Sequence, residues 1–338
     1  MTKLIDSCHR PINYLRISVT DRCNLRCVYC MPPEGIQLLP MTELLTYEEI
    51  VTVAAVAADT GINKIRLTGG EPLVRLGFLD LVTKLAQVKE IDDISLTTNG
   101  VLLKNYALDL KQAGLNRVNI SLDSLDRAKF ERITRRDNLD KVLQGIEAAK
   151  RAGLNPVKIN VVAMRGVNDD EILDFARLTV AEGWHVRFIE LMPFVTDACS
   201  GGCRGENKDY AQSQFISVRE IKERLNILGK LERAKSIAGN GPARYFRLPG
   251  AVGTIGFISP VSQHFCANCN RLRLTADGKL RPCLLSDDEI DLRGLLRDSA
   301  PQEALRQVII EAVRMKPRQH HLSQGLMPLK RFMSQVGG

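Results

Sequence analysis

Six of the nine cysteines in this chain fall into two triplets, Cys23-x3-Cys27-x2-Cys30 and Cys266-x2-Cys269-x13-Cys283. Three close thiolates are one short of the tetrahedral set that structural zinc takes, usually from two separated pairs. They suit a cuboidal iron–sulfur cluster whose fourth iron has no protein ligand and stays open to a small molecule. A zinc ion borrowing a distant fourth ligand is the alternative for the first triplet, and a zinc knuckle completed by His264 is the alternative for the second. The Asp277-Gly278 pair is a hairpin signal between Cys269 and Cys283 and folds Cys283 back towards the other two. Cys199 and Cys203 form a looser pair in a Gly-rich stretch, and Cys8 stands alone. Spacing gives these three no role.

Between the cysteines of the second triplet sits Arg271-Leu272-Arg273. Strand alternation puts both guanidiniums on one face, an arrangement suited to a polyanion; a solvated strand face is the plainer reading. The chain carries 47 basic and 39 acidic residues, a net charge of +8, which fits an anionic partner or simply a mildly basic surface. Aromatic residues make up only 5% of the 338 positions, so a base-stacking surface for nucleic acid is poorly supplied. No stretch approaches the ~20 apolar residues of a membrane span, and no charged-then-apolar leader opens the chain. A cytoplasmic protein is the expectation.

The elements that must position these residues are legible as periodicity. Strands are predicted at Tyr14–Val19, Lys64–Thr68, Asp93–Thr97, Arg117–Leu122, Val157–Val162 and His185–Glu190, with amphipathic helices between them. Thr46-Tyr47-Glu48-Glu49 reads as a capping box, and Asn168-Asp169-Asp170-Glu171 opens another helix. Six strand–helix units in succession imply a parallel sheet, and an open barrel and a doubly wound sheet both fit. The first cysteine triplet follows strand one, Gly69-Gly70-Glu71-Pro72 follows strand two, and Thr97, Ser121 and Met192 lie at or just beyond later strand ends. Parallel α/β folds carry their sites at that end. After about residue 193 the alternation breaks. Residues 196–214 read as a loop, Ser217–Leu228 as helix, Tyr245–Ser259 as strand with Gly punctuation, and Pro301–Met315 as helix.

With Tyr29 directly before the third cysteine, the first triplet resembles the signature of the radical S-adenosylmethionine superfamily. Gly69–Pro72 resembles the segment with which that superfamily holds the methionine end of its cofactor. Adding the second triplet, Arg271–Arg273, the run Ile189-Glu190-Leu191-Met192-Pro193 and Gly337-Gly338, the chain from about Tyr14 onward resembles the GTP 3′,8-cyclase family of molybdenum cofactor biosynthesis.

That resemblance implies an α/β fold: a partial (β/α)6 TIM-like barrel over residues 1–215, and a C-terminal extension over 216–338 that closes the barrel and carries a second cluster. It implies two [4Fe-4S] clusters, one on Cys23, Cys27 and Cys30 and one on Cys266, Cys269 and Cys283. S-adenosylmethionine would meet Tyr29, Gly70, Ser121 and Met192. GTP would meet Arg16, Arg66, Thr97, Lys158, Arg271, Leu272 and Arg273, with Arg271 and Arg273 orienting it and no general base. The diglycine is expected to help complete the site. Arg16, Arg66 and Lys158 lie inside predicted parallel strands, where an unpaired cation is expensive to bury, so a buried anion is expected beside them. By residue type alone, Thr97 and Ser121 read equally as helix caps, and Met192 as core filling. A flavodoxin-like reductant, a downstream cyclic pyranopterin monophosphate synthase and a homodimer are the implied partners, with no nucleic acid and no membrane. A radical enzyme that modifies peptides through an auxiliary cluster is the alternative within the superfamily; a zinc-containing nucleic-acid module is the alternative outside it.

Overall fold

The computed structural model describes residues 4–193, 213–235, 237–239, 241–320, 322, 328 and 330–337. Cys199 and Cys203 lie outside them. Six parallel strands form where the alternation places them: β1 (Tyr14–Ser18), β2 (Lys64–Thr68), β3 (Asp93–Thr98), β4 (Arg117–Ser121), β5 (Lys158–Ala163) and β6 (His185–Glu190). Each of the first five is followed by helix, and the capping box is real: Glu49 N–H donates to Thr46 Oγ1 at 3.1 Å, and Thr46 N–H to Glu49 Oε2 at 2.7 Å. Asn168 does not cap the helix Ile172–Ala181 with its side chain. Buried beneath the loop, its carboxamide instead accepts from Met164 N–H and donates to the carbonyls of Asp123 and Val162.

The rest of the chain continues the same sheet at both edges. Beyond β6 come β9 (Thr254–Ile258), parallel, then β8 (Arg244–Arg247) and β7 (Glu232–Arg233), antiparallel. Beyond β1 come β10 (Arg271–Leu274), parallel, then β11 (Lys279–Arg281) and β12 (Ile290–Asp291), antiparallel. The result is an open twelve-stranded sheet running from β12 to β7. The C-terminal residues therefore extend the barrel wall at both ends of the arc, and the sheet stays unclosed. Tyr245–Ser259 divides into two strands, and Asp277-Gly278 makes the expected hairpin between β10 and β11.

Each parallel strand is two-faced. In Tyr-Leu-Arg-Ile-Ser of β1, Leu15 and Ile17 join one apolar core with Ile65, Leu67, Leu96, Val118, Ile120, Ile159, Phe188 and the helices. The intervening positions turn inward, and there the chain is polar: Arg16, Arg66, Thr97, Asn119, Asn160, Arg187 and Arg273. Fully covered parallel strands are ordinarily apolar on both faces, so this polar inner face marks the interior as a place for a ligand. No described helix is long and apolar enough to cross a membrane.

Glu190, at the end of β6, ties the two stretches of sequence together. Its buried carboxylate accepts from Val218 N–H at 3.0 Å, Val261 N–H at 3.1 Å, Ser262 N–H at 2.9 Å and the Ser262 hydroxyl. Glu190→Ala strands those donors, each worth about 1–3 kcal/mol when buried and unmade. The expected result is a loss of at least about 3 kcal/mol in denaturant unfolding of the apoprotein; a change below about 1 kcal/mol would remove Glu190 from this role.

Candidate active site

All six cysteines of the two triplets line one cavity, the first triplet beyond the C-terminal end of β1 and the second at the opposite end of the strands, before β10 and after β11. The first triplet sits on the loop after β1, and that loop is fixed by backbone contacts on two sides. Gly70 N–H donates to Thr20 O at 2.7 Å and Glu71 N–H to Arg22 O at 2.8 Å. Side chains do not fit there: a Cβ at Gly70 would stand 2.4 Å from Arg22 O, and one at Gly69 2.7 Å from Thr20 O. On the other side Arg26 N–H and Val28 N–H donate to Thr134 O and Ile133 O, both at 2.9 Å. Arg135, in the left-handed region at φ 57°, spans the loop by donating to Arg26 O and Met31 O, both at 3.0 Å. Glu71 is fully occupied inside the protein, accepting from Leu73 N–H, the Thr98 hydroxyl and Asn99 N–H; burial pushes its carboxyl up to about 7.

The thiols have the surroundings of cluster ligands. Leu25 N–H donates to Cys23 Sγ and Leu285 N–H to Cys283 Sγ, each at 3.4 Å. Backbone N–H groups of Ser334, His320 and Arg271 face Cys30, Cys266 and Cys269 in the same way. Such N–H···S bonds are a standard means of tuning iron–sulfur centres. Burial pushes Cys23 up to about 11 and Cys30 to about 12, so a metal must supply the charge that makes them thiolates. Cys269 differs: burial raises it, but the charges of Arg271 and Lys316 prevail and leave it at about 6. The second triplet therefore sits in a cationic setting.

Of the residues singled out in the sequence, Tyr29, Gly70, Ser121, Met192, Arg16, Arg66, Thr97, Arg271 and Arg273 all line the cavity. The Tyr29 hydroxyl donates to Asp123 Oδ2 at 2.6 Å, and Asp123 also accepts from Val162 N–H at 2.8 Å, which pins the cysteine loop to the ends of β4 and β5. Arg16 lies in register between Arg273 on β10 and Arg66 on β2. Three adjacent guanidiniums, those of Arg66 and Arg273 buried, repel one another. Burial and the Arg271 charge bring Arg273 down to about 9, and burial with the Arg273 charge lowers Arg16. Arg273 donates to Gly337 O at 2.9 Å and Val336 O at 3.3 Å, so the C-terminal segment reaches the barrel interior; Gly338 lies outside the described residues.

Two candidates do not reach the cavity surface. Leu272 is wholly buried in the outer apolar core, because the alternation that turns Arg271 and Arg273 inward turns it outward. Lys158 is buried on the inner side of the sheet, its ammonium donating to Ala238 O and lying 5.8 Å from the centre of the Tyr245 ring. Burial, then the charges of Arg187, Arg117 and Arg66, push it down to about 6 against the opposing pull of Asp93.

The structure adds Arg187, Asn119 and Asn160 to the wall. Arg187 Nε and the carboxamide oxygens of Asn119 and Asn160 have no hydrogen-bond partner among the described residues. Gly256 makes the room for Arg187; a Cβ there would stand 2.9 Å from its Cγ. All three occupy inward positions of their strands, and that parity is the signal that finds them. Orphaned donors and acceptors, a row of cations and six thiols, five of them facing backbone N–H groups, on one cavity fit a polar, anionic ligand beside two metal clusters.

Comparison with known proteins agrees with this geometry. Residues 17–179 match the Radical SAM superfamily and residues 184–322 match Molybdenum Cofactor Synthesis C. The chain is 54% identical to the GTP 3′,8-cyclase of Moorella thermoacetica, covering 98% of this chain and 99% of that protein. It is 53% identical to that of Desulforamulus reducens, covering 99% and 100%. Among solved structures, Streptococcus suis SuiB superposes with a TM-score of 0.59 at 13% identity over 90% of this chain and 66% of that one. The enzyme anSMEcpe with bound AdoMet gives 0.51 at 15% identity over 93% and 82%. These structural likenesses speak to the fold.

Proposed function

Because the chain belongs to the GTP 3′,8-cyclase family within the radical S-adenosylmethionine superfamily, we propose that its cavity is the site where GTP becomes (8S)-3′,8-cyclo-7,8-dihydroguanosine 5′-triphosphate, the first step of molybdenum cofactor biosynthesis. The observation that carries this reading is the meeting of both cysteine triplets and the buried guanidiniums on one cavity. Cys23, Cys27 and Cys30 would hold one [4Fe-4S] cluster, and Cys266, Cys269 and Cys283 the other. When bound, the first cluster and S-adenosylmethionine supply one-electron chemistry able to remove an unactivated hydrogen, and the second cluster offers an open iron to the base.

The residues of the chain bind, orient and exclude water. Tyr29, Gly70, Ser121 and Met192 form the S-adenosylmethionine side of the cavity. Arg16, Arg66, Thr97, Arg187, Arg271 and Arg273 hold the nucleotide, and their mutual repulsion is relieved when a triphosphate enters among them. Leu272 contributes through the outer core, fixing the register of its neighbours. Glu71, Asp123 and Glu190 are each held by protein N–H and O–H donors, so the wall supplies binding and proximity rather than a general base. A flavodoxin-like reductant, a downstream cyclic pyranopterin monophosphate synthase and a homodimeric assembly belong to the same reading. Its test is anaerobic turnover of the reconstituted enzyme: 5′-deoxyadenosine formation rises with GTP and not with ATP or peptide. Stimulation by peptide alone would favour a peptide-modifying enzyme.

Lys158 gives the reading a pH signature. With its pKa near 6 in the free protein, Lys158 is mostly neutral at pH 7.5. A nearby triphosphate favours the ammonium, raises that pKa and draws in a proton. GTP affinity should therefore fall as pH rises through the range between the free and bound pKa values. Calorimetry in buffers of different ionisation enthalpy should show proton uptake on binding, reduced in Lys158→Met. Equal uptake in the two proteins would exclude Lys158 as the acceptor.

A further inference from the structure

The second cysteine triplet is spread over a hairpin and a preceding turn, and a single segment, residues 316–320, touches the flank of each cysteine. Lys316 is 4% exposed, yet its ammonium reaches Arg271 O at 2.8 Å and Pro282 O at 2.7 Å. The first carbonyl lies two residues after Cys269 and the second directly before Cys283. Lys316 thus bridges the open end of the β10–β11 hairpin, where two of the three ligands sit. His320 N–H faces the Cys266 thiol, and its ring bonds Pro260 O at 2.8 Å.

Arg10 completes the arrangement from the other end of the chain. It is 5% exposed and donates to Cys266 O at 2.7 Å, Arg318 O at 3.1 Å and Pro317 O at 2.8 Å. It is held in place by Asp6, which accepts its Nε–H at 2.6 Å and its backbone N–H at 2.9 Å, in a turn where His9 takes a positive φ of 60°. A bulky residue in that conformation is uncommon and persists only where its surroundings impose it. Burying two cations to bond mostly carbonyl oxygens is costly in itself. The cost is offset if the carbonyls they fix belong to loops that must present three thiolates at a set spacing around a cluster of net negative charge.

We propose that Lys316 and Arg10 are positioning residues for the second cluster: they hold the backbone beside Cys266, Cys269 and Cys283 in the geometry that retains it. This rests on the assignment of a cluster to that triplet. The test compares unsubstituted protein with Lys316→Met and Arg10→Gln, each reconstituted anaerobically. Iron and acid-labile sulfide are measured, together with electron paramagnetic resonance of the reduced protein with S-adenosylmethionine or GTP added. Expected is a loss of about half the iron in each variant, with the GTP-responsive signal lost and the S-adenosylmethionine-responsive signal kept. Lys316→Arg, which can still reach two carbonyls, should restore part of the lost iron. Full iron with an unchanged GTP response overturns the proposal, and so does equal loss of both clusters or failure of both variants to fold, since either marks a general structural role. Iron for only one cluster in the unsubstituted protein would instead defeat the cluster assignment itself.

Discussion

Arg273→Ala is expected to weaken GTP binding by on the order of 100-fold or more, the effect of removing one buried, hydrogen-bonded charge from an anion site. Arg273 is 5% exposed and in register with Arg16, and it holds the carbonyls of Val336 and Gly337. The alanine variant loses a positive charge from the wall and also frees the C-terminal segment from the barrel. Affinity is read by equilibrium dialysis against the reconstituted protein. Arg273→Lys should fall between, because it restores charge without the two-pronged donor geometry. The S-adenosylmethionine-responsive signal of the first cluster should persist in both variants. Unchanged GTP affinity in the alanine variant would remove the guanidinium wall from substrate binding.

Gly70→Ala is expected to act on the other half of the site. An added methyl would stand 2.4 Å from Arg22 O and 2.7 Å from Arg22 C, and both atoms belong to the backbone of the loop that leads into Cys23. No side-chain rotation relieves that contact, so the loop must shift by about 1 Å. A displacement of that size can cost about 100-fold in rate when it moves reacting groups. Reductive cleavage of S-adenosylmethionine should fall by at least that factor, with the first cluster partly lost. The second cluster, anchored by other segments, should keep its GTP response. Near-normal cleavage would mean that the glycine-rich turn is only a turn.

Much of this was legible in the sequence, for identifiable reasons. Strand alternation is a local property, so the six parallel strands fall within a residue or so of their predicted limits. The cysteine triplets carry their chemistry in their spacing. The alternation that puts Arg271 and Arg273 on one face also sends Leu272 to the other, into the apolar core, although the family resemblance implied it as a GTP contact. Lys158 has inward parity and pairs with Asn119, but its ammonium is engaged by Ala238 O, a partner far away in the chain.

Other features depended on distant partners. Nothing near residue 256 announces that its missing side chain makes space for Arg187, and nothing near residue 316 announces a bond to Pro282 O. The placement of the C-terminal strands was equally hidden. β9 and β10 pair with β6 and β1, partners far away in the chain, so a segment that reads as a separate closing piece is part of the barrel wall. Gly70 shows a signal with two causes: it was singled out as a cofactor contact, and the structure adds that any side chain there collides with the cysteine loop.

The central claim is that this cavity brings a hydrogen-abstracting cofactor to the ribose of GTP. The most direct measurement is a single anaerobic turnover with S-adenosylmethionine, a reductant and GTP deuterated at C3′, with the 5′-deoxyadenosine weighed by mass spectrometry. One deuterium in that product is the expected result, absent when the label is placed elsewhere on the ribose. Formation of only unlabelled 5′-deoxyadenosine, with GTP recovered unchanged, would contradict the account.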